Sequence, residues 1–412
     1  MTRIQWILPI LLCIAWSYPS HQAGHTFRTY TEDGVTVAET TGGPKYTEAL
    51  FSYEKEMVID IGQSEETLLY RPTQFVADAA GNFYIYDSGI GSILMFDASG
   101  RYLRSIGQEG QGPGEFRGGH IQMIHDDVVQ FFDHSLRRTT RFQTAGTLLD
   151  VVTLPVGTGI LGASGFVILE NGMQLILASE SDMPSMGITQ RRGAVTLSAQ
   201  GDTLGVAYTP WIKMLETISY TIMGRSMTGP TPLAYGPWPT ATYHPLHGII
   251  LSPSILPELH LFDNTCHPVG LIRLAMEAEP VTQSDRAAAR QEVLSRVDTV
   301  DESLRETVQT QAENMPFADH KAFWSLVEID SDGYFWLDTG LFPALALILE
   351  GSHTCRILSP EGEYLETTVR PYTSGSSISN GRLLTLEENP DTGEINPTIY
   401  RIQSEIEGFI YP

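Results

Sequence analysis

Short apolar runs closed by tight polar turns recur along this chain. FYIYD, SILMF, VVQFFD, RTTRFQ and YFWLD each hold a few apolar or aromatic residues, and Gly, Asn, Asp or Ser follows within a few positions. Runs of this length and composition read as β-strands, and the polar breaks read as hairpin turns. The runs keep a cadence. Asp87 stands as far from Gly100 as Asp133 does from Gly146, and both pairs frame a strand, a turn and a second strand. A β-repeat of this length predicts an all-β, six-bladed β-propeller. The blades fall at about 74–107, 112–155, 166–210, 243–276, 323–371 and 375–403, and together they make one domain over 24–412.

Three segments depart from the cadence. Residues 281–315 carry helical spacing, with Thr282 and Asp285 placed to cap a first helix and Thr299 and Glu302 a second. They predict a short helical insertion between blades 4 and 5. Residues 211–242, rich in Pro, Gly, Met and aromatics, predict a long ordered loop over one face. Upstream of blade 1, EMVIDIG is the expected closing strand, because an unclosed ring would leave an edge unpaired. GVTVAET would add another strand or lie over one face.

The first 23 residues read as a signal peptide: Arg3 precedes the apolar IQWILPILLCIAW, and the Ala23–Gly24 junction is a plausible cleavage site. The expectation is an exported, periplasmic or extracellular protein with no transmembrane span after processing. Cys13 would permit lipid anchoring, but Leu12 before it is bulkier than the small residue that lipid attachment needs. Cys266 and Cys355 then remain, and their positions on opposite rims predict two separate thiols. A net charge of −24 repels phosphates and argues against a nucleic-acid partner. A small molecule, a glycan or an envelope protein is expected instead.

The candidate chemistry lies at strand ends. Asp87, Asp133 and Asp338 occupy matching positions at the end of a blade's second strand. They form either a ring of carboxylates that holds a cation such as calcium, or caps for their own following turns. His120, His244, His247 and His320 are expected near the starts of inner strands, where all four would meet at one mouth of the central pore. Converging neutral imidazoles would hold zinc or another divalent metal; otherwise the four are scattered strand-end residues. Arg71, Arg117 and Lys321, also near inner-strand starts, would clamp an acidic sugar or carboxylate. Tyr243 would stack on a sugar ring or pin the long loop. No complete catalytic motif is present, so a binding module is expected. The alternative is a metal-assisted lyase or hydrolase acting on a glycan or peptide derivative at the pore.

The junction IGQEGQGPGEF, with ADAAGNFYIYDSGIGSILMFDASGRYLRSIG before it, resembles exported bacterial six-bladed β-propellers related to NHL repeats. EPVTQSDRAAARQEVL is similar to a helical insertion found in many of them. The resemblance implies a six-bladed ring in the cell envelope and little about chemistry, since this fold hosts unrelated functions. Within the junction, Glu115 is placed to accept backbone hydrogen bonds and Phe116 to fill the gap between blades.

Overall fold

A computed structural model describes residues 24–411, apart from 63–66, 126, 156–161, 170, 183–187, 223, 296, 298–299, 340–350, 374, 390–391, 407–408 and 410. The signal segment therefore lies outside the described residues, as do residues 340–350 between the second and third strands of blade 5.

Six blade sheets, each with an antiparallel four-strand core, follow one another along the chain. Blade 1 runs Pro72–Ala77, Phe83–Asp87, Ser92–Phe96 and Tyr102–Ile106 from its inner to its outer strand. Blade 2 opens with Gly119–His125 and ends with Leu148–Thr153. Blade 3 opens with Gly162–Ile168, and blade 5 runs from Leu326–Ile329 to Tyr364–Tyr372. Blade 6 contributes Ser377–Ser379, Arg382–Glu388 and Ile395–Ser404. Its fourth strand comes from the other end of the chain, because Phe51–Val58 pairs with Ile395–Ser404. The ring is thus closed by a strand that starts five residues before EMVIDIG and includes only its first three residues, Glu56–Val58, and that strand completes blade 6.

Why the strands read as unbroken apolar runs follows from the packing. Each blade is covered on both faces by its neighbours, so alternate residues enter opposite inter-blade cores. Phe131 packs with Tyr84 and Tyr86 of blade 1, whereas the next residue, Phe132, packs with Phe166 and Ile176 of blade 3. Trp336 faces blade 6 beside Phe51 and Leu383, whereas Phe335 and Leu337 face blade 4. Among the described residues one apolar cluster fills each of the six interfaces between neighbouring blades.

The blade junction behaves as its sequence suggests. The Gly112 N–H donates to the Glu115 carboxylate at 2.6 Å. Phe116 is fully buried and stacks on Phe131 at 4.0 Å between ring centroids. Gly107 has φ +73°, and a Cβ there would overlap the Phe116 ring.

Elsewhere the structure corrects the expectations. Residues 211–242 are not one long loop. Ile212–Ile222 and Arg225–Pro232 form a hairpin that continues the blade 3 sheet, and Thr240–His244 is the inner strand of blade 4. GVTVAET does add a strand: Val35–Thr41 pairs in parallel with the outer strand of blade 4, Pro268–Leu274. Thr26–Glu32 then extends that sheet to six strands.

Helices α1 (Gln283–Ser295) and α2 (Glu302–Glu313) stand between blades 4 and 5 in the chain. Thr282 and Asp285 form a reciprocal capping box at α1, with N···O distances of 2.9 and 3.1 Å. The α2 cap is Asp301, whose side chain accepts from Ser303 N–H. Ala289, Val293, Ala312 and Met315 pack with Ala234, which ties the helix pair to the ring. Cys266 and Cys355 are separate, buried thiols. No helix among the described residues is long and apolar enough to cross a membrane.

Candidate functional site

The strand register separates the histidines expected to converge. His120 pairs with Phe132 beside the start of the blade 2 inner strand. His244 pairs with Gly248 at the far end of the blade 4 inner strand, and His247 lies in the turn that follows. The reason is that HGIILSP is the second strand of its blade, so the inner strand is the preceding TATYH. His120 and the His244–His247 pair therefore occupy opposite ends of their inner strands. His320 is exposed in a bridge with Pro280 beside the helical insertion.

Local partners occupy several of these imidazoles. His247 Nε2 donates to the Gly333 carbonyl at 2.8 Å, and its ring packs against Phe335 at 4.7 Å. His244 Nδ1 accepts from Leu246 N–H at 3.2 Å. Burial pushes the His120 pKa down to about 4, with His134 adding to the effect. Among the described residues no three His, Cys, Asp or Glu side chains come together as a metal site.

The three strand-end aspartates divide into two uses. Asp87 is fully buried and accepts from the N–H groups of Tyr70, Arg71 and Gly89. Asp133 accepts from Arg117 N–H and Leu136 N–H. Both fasten the loop that leads into their blade to the turn that follows the second strand. Asp338 has left that pattern. Its carboxylate lies 3.3 Å from Arg370, which is fully buried and also pairs with Glu328 at 2.8 Å. Burial opposes the charge on Asp338, but His353 and Arg370 hold its pKa below the ordinary carboxylate value. Arg71 and Arg117 are exposed, and the Arg71 side chain bonds Ser88. Lys321 pairs with Asp285 at 3.1 Å and with Glu279 at 3.5 Å.

A cavity lies on the ring axis. It has a volume of about 580 Å3 and is lined by residues of all six blades. Inner-strand side chains along it join blade 1 to 2, blade 2 to 3, blade 5 to 6 and blade 6 to 1. Gln74 donates to the Ile121 carbonyl at 2.8 Å and accepts from Ile121 N–H at 2.7 Å. Gln122 accepts from Phe166 N–H, and Glu328 accepts from Ile378 N–H. Ser377 donates to the Phe75 carbonyl across the closing interface.

One end of the cavity reaches the turns that follow the inner strands, at Ala79, His244–Leu246, Ser331 and Asn380. That end is opposite to the one carrying Asp87, Asp133 and Asp338. The polar residues in that part of the wall are mostly uncharged, namely Thr242, Tyr243, Ser331, Ser379 and Asn380, and Ser379 and Asn380 donate to the carbonyls of Ala77 and Asp78. Of the acids in the lining, Glu328 is held by Arg370 and Asp330 is tied to its own turn. The arrangement offers hydroxyls, amides and one phenol ring rather than a charged cluster. Of the residues proposed from the sequence, Tyr243 and His244 line this cavity. Gln74, Gln122, Asn380 and Arg370 were not singled out. The shared Gln-x-x-x-Asp of TQFVAD and IQMIHD was the available signal for the two glutamines.

Residues 58–127, covering blade 1 and its junction, match the model of a family described as a 6-bladed beta-propeller. No curated protein matches the chain. A candidate exported protein of Bacteroides fragilis is similar in structure, at 12% identity and a TM-score of 0.50, over 90% of this chain and 100% of that one. A member of the duf4221 family from Bacteroides vulgatus is similar at 11% identity and a TM-score of 0.48, over 86% and 99%. Virginiamycin B lyase from Staphylococcus aureus is similar at 10% identity and a TM-score of 0.37, over 86% and 100%. At such identities the likeness concerns the fold alone. Six sheets in a ring closed by both chain ends, together with the family match across blade 1, make this chain a six-bladed β-propeller, in keeping with its resemblance to exported bacterial members of that fold.

Proposed function

We propose that this protein is an exported binding module that holds an uncharged glycan segment at the axial cavity. One observation carries the reading: a cavity of about 580 Å3 on the ring axis, whose polar wall is largely hydroxyl and amide side chains, with Tyr243 in the same wall. Concave sites with a few fixed polar groups are the usual form of ligand pockets. Hydroxyls and amides match the hydroxyl-rich surface of a sugar, and a phenol ring gives it an apolar platform. Export is inferred from Arg3 and the apolar stretch after it, which would place the module in the periplasm or outside the cell.

The test is a glycan array and a peptide array probed with the mature protein and with Asn380→Trp, which fills the cavity mouth. The expected result is saturable binding to uncharged glycans that the tryptophan variant loses. Binding to peptides alone would reassign the ligand class, and binding unaffected by Asn380→Trp would place the site elsewhere.

A further inference from the structure

A second cavity, of about 380 Å3, lies where the helical insertion rejoins the ring. Three segments are fastened together there by backbone hydrogen bonds. Lys321 N–H donates to Glu279 O at 2.8 Å, Val281 N–H to Asp319 O at 2.9 Å, and Ala322 N–H to Tyr235 O at 2.9 Å. The remaining wall is blade 5, through Phe323, Thr339 and Arg356.

The two cations in this wall are in different situations. Lys321 is matched by Asp285 and Glu279. Arg356 has no carboxylate within ion-pair distance among the described residues, and its Nη1 donates to the Phe323 carbonyl. In a chain of net charge −24, a half-buried guanidinium without a carboxylate is an unmatched charge. A guanidinium has five donors in a planar fork, so fixing one on a carbonyl orients the others for a planar anion. Met276, Phe323 and the Tyr235 ring supply apolar surface in the same cavity.

We propose that this cavity binds a small organic carboxylate. Its carboxylate pairs with Arg356, and its apolar body lies against Met276, Phe323 and Tyr235. The proposal is independent of ligand binding on the ring axis.

Calorimetric titration of the mature chain with benzoate and with benzamide tests it, since the two probes share a shape and differ in charge. Benzoate is expected to bind saturably, and benzamide about tenfold more weakly or worse, as the loss of a charge-assisted hydrogen bond implies. Arg356→Gln should weaken benzoate by a similar factor, and Asn380→Trp on the axis should leave it unchanged. Equal binding of the two probes, binding of neither, or full benzoate affinity in Arg356→Gln would overturn the proposal. So would loss of benzoate in Asn380→Trp. If Arg356→Gln does not fold, Met276→Trp fills the cavity and keeps its charges. That variant should lose benzoate binding, and retained affinity would equally overturn the proposal.

Discussion

Replacing Arg370 by Ala removes the cation shared by the carboxylates of buried Asp338 and half-buried Glu328. Arg370 is fully buried, and its Nη2 lies 2.8 Å from Glu328 and 3.3 Å from Asp338. At an effective dielectric of about 20, each pair is worth about 4 kcal/mol for charge centres ~4 Å apart. Repulsion between the two carboxylates and the desolvation of all three ions offset most of this, so the intact triad adds little net stability. Truncating Arg370 alone is different, because it strands two negative charges. The Asp338 side chain is 3% exposed and the Glu328 side chain 18%, so water relieves Glu328 more than Asp338. Leaving an uncompensated buried charge costs about 3–5 kcal/mol.

Arg370→Ala should therefore lower stability by about 4 kcal/mol in urea denaturation at neutral pH. Combining Arg370→Met with Glu328→Gln and Asp338→Asn should restore most of the loss. The deficit should also shrink with acid. Without the arginine, the burial of Asp338 is no longer opposed by the guanidinium, so its carboxyl should titrate above its unfolded value, and the penalty is present at neutral pH and fades as pH falls through that raised value. A loss below about 1 kcal/mol, or a triple variant no more stable than Arg370→Ala, would refute the reasoning.

Asp330 is buried with its pKa pushed up to about 6, although bonds from Tyr411 and Trp336 pull the other way. The folded state then holds a proton that the unfolded state releases between about pH 4 and 6, so this group's contribution is lost as pH rises through that window. Asp330→Asn should flatten the dependence of melting temperature on pH there, and an unchanged slope would count against it. His120 acts in the opposite direction. Its depressed pKa makes acid destabilising between about pH 6.5 and 4, and His120→Gln should remove that part of the acid loss. Phe116→Ala should cost about 3–5 kcal/mol in chemical denaturation, because it empties the core between blades 1 and 2. Asp87→Ala leaves three N–H groups unpaired and should lower stability by about 2–4 kcal/mol with no change in glycan binding, and a binding defect at unchanged stability would return Asp87 to the site.

The parts of the fold legible in the sequence were those fixed by local chemistry. Blades 1 and 2 carry regular turns and second strands that are buried apart from Val128, so FYIYD and VVQFFD announce themselves. The junction glycines and the Thr282–Asp285 box are likewise local signals. Blade 4 was misread because its inner strand, Thr240–His244, is only half-buried and has no apolar run, while the second strand after it is strongly apolar. That one-strand slip moved His244 and His247 to the wrong mouth of the ring. The hairpin at 212–232 was hidden by its Pro and Gly content. At the axis, Gln74, Gln122 and Glu328 act by reaching backbone groups of the next blade. Such contacts join residues far apart in the chain, and no spacing rule exposes them. Arg370 shows the same difficulty, since an arginine on an outer strand does not announce that it is buried.

Ring closure is the claim on which the axial cavity depends, and a cross-strand disulfide tests it most directly. Ser52 on the N-terminal strand is the register partner of Gln403 on the last strand of blade 6. Opposed residues of antiparallel strands have Cα atoms about 4.5–5.5 Å apart, within the range a disulfide spans. The Ser52→Cys/Gln403→Cys variant should form an intramolecular disulfide on mild oxidation and melt at a higher temperature than its reduced form. Two thiols that stay free under oxidation, in a protein that otherwise folds normally, would contradict the closed ring.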